Sequence, residues 1–476
     1  MKTLVVVGAG FSGVATVAHI LRSGCNGMRI VLVNRTRAMA RGLAYGTHSP
    51  LHLLNASVGK MSALDGVPDH FLKFCKSRQQ PVDSNSFVTR DLYGSYLNEV
   101  LDEAERLNPT VPLQRLVAEV THVQPDGLGA QLLLSDGTVL KADHVVLAFG
   151  NFPPADCFNL NKTLRLQHYQ HDPWESPTPL PPHPRSAVLL LGAGLTAVDV
   201  ALRLLQQGHR GPIHLLSRRG LLPIGHLLQP PQALHLVVMP GTAPQSPRQL
   251  MKWVREMVGE HARQEGDWRG VIDGLRPHIH KLWRGMDIAQ QRQFLRHVQP
   301  WWDIHRHRIA PATFAQFQGH LNSKQLSLHA GRMSNVALLG AEVIVEFRRR
   351  DDQAMESVRV SKIINCTGPD TALHRVDDAL VNALRAQKLI SAAPCGFGLC
   401  VDGQLRVQRQ DGQLVPWLSY VGPMLKAQYW EATAVPELRH FSARLAMRLV
   451  EELASVGGPA RASRASKHNP ARPLQN

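Results

Sequence analysis

The sequence predicts an α/β fold in which one parallel-sheet unit is built twice, and three observations carry that prediction. The first is a copy near the start: an apolar strand Leu4 to Val7, the turn Gly8-Ala9-Gly10-Phe11-Ser12-Gly13, and a second strand Ile30 to Asn34. The next is a copy in the middle: Val188 to Leu191, then Gly192-Ala193-Gly194-Leu195-Thr196-Ala197, then Ile213 to Arg218. The last is register, since Gly8 to Asn34 and Gly192 to Arg218 each span 26 positions. One glycine-rich turn is weak evidence, because small residues also occupy ordinary strand-to-helix turns. Two in one register point to two Rossmann-like dinucleotide-binding domains.

Each small residue in these turns has a physical task. Gly8 and Gly192 allow the tight turn, and Gly10 and Gly194 let backbone approach a pyrophosphate. Gly13 and Ala197 let the helix pack closely on the strand. The exposed N–H groups around Phe11 and Ser12, and around Thr196, then hold the anion. Two such sites in one chain imply a bound flavin reduced by a diffusing nicotinamide, hence an oxidoreductase.

At 476 residues the chain exceeds one core and fits two or three domains. The first FAD-binding part is expected over 1–182. It contains strands at Val117 to Gln124, Gln131 to Leu134 and Asp143 to Phe149, the last ending on Gly150 and prolines. A proline-rich linker, Pro177 to Pro184, follows. The NADP-binding domain is expected over 183–340, with a helical insertion at about 245–322. Within it, Leu250, Trp253, Val254 and Val258 mark a helix over Gln249 to His261. Strands return at Val343 to Phe347 and Val358 to Asn365. The segment ending Ile363-Ile364-Asn365-Cys366-Thr367-Gly368 resembles Val145 to Gly150, which places the return to the FAD domain at 341–456. Residues 457–476 read as a disordered basic tail.

The ends of the second strands differ between the two copies. A ribose-binding carboxylate is usual there, but the first copy has Asn34, an uncharged acceptor. The second has Ser217, Arg218 and Arg219, and a guanidinium pairs with a 2′-phosphate that an acid would repel. NADPH is therefore expected over NADH; the alternative is a solvated arginine pair at a strand end.

Hydrophobic content of 44% and charged content of 19% are those of a globular protein. Met1 to Val7 runs into a strand without a secretory leader, and no apolar run has bilayer-spanning length. The six cysteines include no Cys-x-x-Cys pair, which argues against a disulfide framework or a redox dithiol and for a cytoplasmic protein. The net charge of +16 attracts anionic ligands. No basic-aromatic stripe suggests nucleic acid, and neither a membrane partner nor a metal site is expected.

A third cluster follows the first copy: Arg41-Gly42-Leu43-Ala44-Tyr45-Gly46, His52-Leu53-Leu54-Asn55 and Met61. Further motifs are Asp69-His70-Phe71-Leu72, Phe87-Val88-Thr89-Arg90, Tyr93-Gly94-Ser95-Tyr96-Leu97 and Asp172-Pro173-Trp174. Later come Asp267-Trp268-Arg269, Asp273-Gly274-Leu275-Arg276-Pro277, Trp302-Asp303-Ile304-His305-Arg306-His307-Arg308, Gly422-Pro423-Met424 and Trp430 to Arg439. In this order they resemble a bacterial FAD/NAD(P)-binding protein family. The two-nucleotide layout is more distantly similar to flavin-dependent N-hydroxylating and Baeyer–Villiger monooxygenases. The repeated strand-and-Gly ending implies a glutathione-reductase-like arrangement, with the NADP domain inserted into a discontinuous FAD domain. The family resemblance implies that Gly8, Gly10 and Gly13 hold the FAD pyrophosphate. Arg41, Tyr45, Gly46, Asn55 and Met61 would lie along the flavin, and Gly150, Gly368 and Gly422 beside it.

His305, Arg306, His307 and Arg308 form the densest polar cluster, able in principle to bind a carboxylate and relay protons. A basic turn or structural contacts at a domain junction explain it equally well. The function expected is an FAD- and NADPH-dependent monooxygenase, working through a C4a-hydroperoxyflavin with molecular oxygen on a small, carboxylate-bearing molecule. The alternatives are a flavin reductase serving a partner and a nucleotide-binding sensor without turnover.

Overall fold

The computed structural model describes residues 1–47, 49–156, 160–175, 183–236 and 246–454. Two sheets organise the chain. The first has the strand order Arg406–Gln408, Leu414–Tyr420, His144–Leu147, Lys2–Val7, Met28–Asn34, Leu113–Val117. Its centre, Lys2–Val7, is parallel to both neighbours and buried after its first residue. That is why its sequence is a continuous apolar run rather than an alternating one. Helix Phe11–Arg22 packs against helices Arg90–Leu107 and Val435–Leu453. A three-stranded antiparallel sheet, Val120–Asp126, Gly129–Leu134 and Val139–Ala142, receives helix Ala379–Ala386.

The second sheet runs Met355–Val360, Glu342–Arg349, Leu326–Leu339, Ile213–Ser217, Val188–Leu191, Lys362–Asn365, Tyr169–Gln170. Ile213–Ser217 and Leu326–Leu339 are parallel neighbours, so the long segment between them is one crossover. Its final helix, Pro311–Asn322, packs on Leu326–Leu339. The helices Pro247–Arg263, Trp268–Leu275, Ile279–Arg284, Ile288–His297 and Gln299–Arg306 are inserted before it. Ser246 caps the first, its Oγ accepting from Gln249 N at 3.3 Å.

This topology corrects the return expected at residue 341. Glu342–Arg349, Met355–Val360 and Lys362–Asn365 all belong to the second sheet. The resemblance between 363–368 and 145–150 has another cause: the duplication itself. His144–Leu147 flanks Lys2–Val7, and Lys362–Asn365 flanks Val188–Leu191 in the same way. The chain rejoins the first sheet after residue 365. Its outgoing and incoming segments meet in an antiparallel bridge between Pro154 and Pro369. The basic tail and most of the proline-rich linker lie outside the described residues.

Candidate functional site

The two glycine turns are near-copies in three dimensions. Gly8 has φ +112° and Gly192 has φ +114°, values that side-chain-bearing residues rarely adopt. A Cβ on Gly8 would stand 2.6 Å from Ala148 O, and one on Gly192 would collide with Cys366 O. Gly10 and Gly194 precede their helices with φ −83°, ψ −165° and φ −85°, ψ −166°. Neither helix start has a side-chain cap, so the first-turn N–H groups are left for an anion. A Cβ on Gly13 would collide with Gly8 O, whereas Ala197 is buried at the matching position. These cradles fit dinucleotide pyrophosphates.

The first cradle is roofed. The loop carrying Arg41 to Gly46 brings Gly42 Cα within 3.7 Å of a Cβ built on Gly10. Arg41 is held by Asp91 Oδ1 at 2.6 Å and Ser95 Oγ at 3.1 Å. Tyr45 packs on Tyr93 with ring centroids 4.5 Å apart. Gly94 must be small here, because a Cβ would stand 2.6 Å from Tyr45 O. Phe11 and Ser12 are buried; Ser12 O accepts from Thr16 Oγ1 at 2.8 Å and Ser442 Oγ at 3.4 Å. The closing helix of the chain, Val435–Leu453, thereby reaches the cradle. Gly422 lets the chain pass Tyr420 Oη and Phe149 O, both within 3 Å of a built Cβ.

Other expected residues are used differently. Asn34 Oδ1 accepts from Ala9 N at 3.3 Å, and its Nδ2 donates to Thr36 O at 2.8 Å. The amide builds the turn rather than simply facing a ribose. Met61 is buried in the first core. Asn55 contributes its carbonyl, which accepts from His226 Nε2 at 3.0 Å. Gly150 is exposed at the end of its strand. Gly368, expected beside the flavin, lies beyond the strand that flanks the second cradle, with φ +91°.

The second cradle is open. Among the described residues, nothing lies within 4 Å of a Cβ built on Gly194, and Thr196 is half-buried. Ser217 Oγ accepts from Gly220 N at 3.1 Å, shaping the loop that carries Arg218 and Arg219. Arg219 donates to Arg296 O at 2.6 Å. Burial, then the like charges of Arg218 and Arg350, push the Arg219 pKa down. Arg350 was missed in the sequence; the run Arg348-Arg349-Arg350 at a strand end was the available signal. Neither Arg218 nor Arg350 forms an ion pair among the described residues.

The seam between the units is polar and buried. Arg90 pairs with Asp199 at 2.7 Å, and His52 Nε2 donates to Asp199 O at 3.1 Å while Nδ1 accepts from Thr47 Oγ1 at 2.5 Å. The cluster His305 to Arg308 is divided among separate partners here. Arg306 pairs with Glu431 at 3.1 Å, Arg308 with Asp273, and His307 faces Asp303 at 3.7 Å. His305 Nδ1 donates to Trp301 O at 2.7 Å. Burial opposes charge on Glu431, yet Arg306, His307, Trp302 and Lys426 hold its pKa below the ordinary value. Glu431 thus faces both Arg306 and His307, while Arg308 and His305 turn to Asp273 and Trp301 O.

Residues 5–152 match the family model described as FAD-NAD(P)-binding. No curated protein matches the chain. The fold is similar to the reduced form of ornithine hydroxylase from Pseudomonas aeruginosa, over 95% of this chain and 100% of that one, with TM-score 0.62 and 13% identity. L-lysine 6-monooxygenase from Pseudomonas syringae gives 0.61 at 14% identity, over 96% and 100%. Bacillithiol disulfide reductase from Staphylococcus aureus gives 0.55 at 11%, over 95% and 99%. Residues 5–152 thus match an FAD-NAD(P)-binding domain, in a chain that shares the α/β fold of these solved structures.

Proposed function

We propose that the protein is an FAD-dependent, NADPH-oxidising monooxygenase of a small molecule. One observation carries this reading: two matching phosphate cradles in one chain, the first closed over by its own loop and helix, the second open beside arginines. A roofed site suits a resident nucleotide and an open one suits a visitor. Bound FAD would accept hydride from NADPH and deliver electrons to oxygen. The balanced reaction takes NADPH, a proton, O2 and substrate to NADP⁺, water and substrate bearing one oxygen. In this chain, the helix N-termini after Gly10 and Gly194 bind the pyrophosphates, and Arg218, Arg219 and Arg350 bind the 2′-phosphate.

Cysteine chemistry favours oxygen over a disulfide as acceptor. Cys395 and Cys400 are unpaired, and burial raises both thiols above their ordinary pKa, which makes them poor nucleophiles. The five described cysteines are all free, which supports a reducing compartment, the cytoplasm. The basic surface favours an anionic, carboxylate-bearing substrate.

Rapid mixing of the purified flavoprotein with NADPH in aerated buffer tests the reading. Flavin bleaching should be followed by a persistent absorbance belonging to neither oxidised nor reduced flavin. Immediate reoxidation with peroxide release would make the protein a reductase. Absence of bleaching would leave nucleotide binding without turnover.

A further inference from the structure

The inserted helices, together with Trp430, line a half-open cavity of about 460 Å³ that shares no lining residue with either cradle. Small-molecule sites occupy roughly 300–1,000 Å³ and pair an apolar lining with a few fixed polar groups. Trp268, Trp283, Trp301, Trp302 and Trp430 line it. Their polar edges are partly committed elsewhere: Trp283 Nε1 donates to Ala427 O at 2.8 Å, and Trp302 Nε1 to Glu431 Oε1 at 3.0 Å. The Trp430 ring lies 4.6 Å from that of Trp283 and is 2% exposed. Among the described residues its indole N–H is buried without an acceptor, which costs about 1–3 kcal/mol unless a ligand oxygen meets it.

Two polar side chains join this apolar lining. Arg255 is exposed, forms no ion pair among the described residues, and also borders an adjoining pocket with Arg248, Lys252 and His297. Glu256, the acid there, is paired with Lys252 at 3.7 Å. His305 spends Nδ1 on Trp301 O and keeps Nε2. The field at this side of the cavity therefore favours an anion.

We propose that the helical insertion binds a small apolar carboxylate, with an alkyl or aryl body among the tryptophans and the carboxylate on Arg255. The site is distinct from nucleotide binding, so it can be tested without NADPH. A ten-carbon chain, at roughly a water's volume per carbon, needs on the order of 300 Å³ and fits. The experiment is titration of the purified holoprotein with decanoate, decanol and decylammonium, read by intrinsic fluorescence. Five of the chain's eight tryptophans line the cavity, so occupancy is directly visible. Decanoate should give a saturable change and bind at least about tenfold more tightly than decanol. Decylammonium should bind more weakly still. Arg255→Gln, at an exposed position, should keep the wild-type melting temperature and reduce decanoate to the level of decanol. The proposal is overturned if decanoate gives no saturable signal, if all three headgroups titrate alike, or if Arg255→Gln retains the preference.

Discussion

The two phosphate cradles share backbone geometry to within a few degrees yet differ in what surrounds them. Around the first, the loop through Gly42 approaches Gly10 and the closing helix bonds Ser12 O through Ser442. Around the second, no described residue closes over Gly194, and the strand end carries Arg218 and Arg219. On the proposed reading, turn chemistry specifies that a dinucleotide binds, and the flanking segments specify whether it stays.

Substituting the first glycine of each turn breaks the comparison most sharply. Gly8→Ala and Gly192→Ala each force a side chain into φ near +110° and against a carbonyl. Backbone strain of about 1–3 kcal/mol adds to that collision. Gly8→Ala should lower the flavin content of purified protein by about tenfold or more. Gly192→Ala should purify yellow and lose NADPH-driven bleaching by about a hundredfold. Flavin-to-protein absorbance and anaerobic reduction measure the two. Equal loss of flavin in both variants would show that the cradles are not separable.

The strand ends give the next effect. Arg218→Ala combined with Arg219→Ala should raise the KM for NADPH by about tenfold to a hundredfold, the loss of one charge-assisted bond of about 1.5–3 kcal/mol, because Arg219 already spends a donor on Arg296 O. The KM for NADH should stay unchanged. Arg350→Ala should produce a smaller shift of the same kind. A change in both coenzymes would mean that the arginines hold the pyrophosphate or the fold instead.

These arginines also show what a sequence discloses and what it hides. Arg218 and Arg219 follow a recognisable turn at a fixed spacing, so local pattern finds them. Arg350 is far along the chain and arrives through one parallel and one antiparallel strand pairing, which local pattern does not encode. The glycine turns were legible for the same reason as Arg218. The return point was misread because the strand ending at Asn365 repeats the character of the one ending at Leu147, both being the far neighbour of a cradle strand. Repetition made an internal copy look like a homecoming. The tryptophan-lined cavity had no local signature, its residues being spread from Leu250 to Trp430.

Acidification probes the link between the cradles. His226, on the loop after Ile213–Ser217, donates to Asn55 O in the segment that follows the first cradle's roof. Burial first, then the Arg308 charge, lower its pKa to about 4. The unfolded chain, with an ordinary histidine near 6.5, therefore binds more protons between these values. His226 thus contributes full stability above about pH 6.5, and the contribution is lost as pH falls towards 4. The loss at pH 5 should be about 2 kcal/mol. His226→Gln keeps a donor without the titration, so its melting temperature should fall less than the wild type's over this window. Parallel curves would assign the acid sensitivity to other groups, such as the buried His144.

The smallest effect concerns Asn34, where the common pattern has a carboxylate. Position 34 accepts from Ala9 N and also donates from Nδ2 to Thr36 O. Aspartate could keep the first bond but would lose the donor and set a negative charge against a carbonyl. Asn34→Asp should therefore lower stability by about 1 kcal/mol and leave flavin retention no better, measured by thermal melting and by flavin release on dilution. Tighter flavin binding in Asn34→Asp would instead mean that the strand end addresses the ribose and that the turn tolerates losing its donor. The first cradle's strand end would then work as the second's does, through charge directed at the nucleotide, and the difference between resident and visitor would rest on the roof alone.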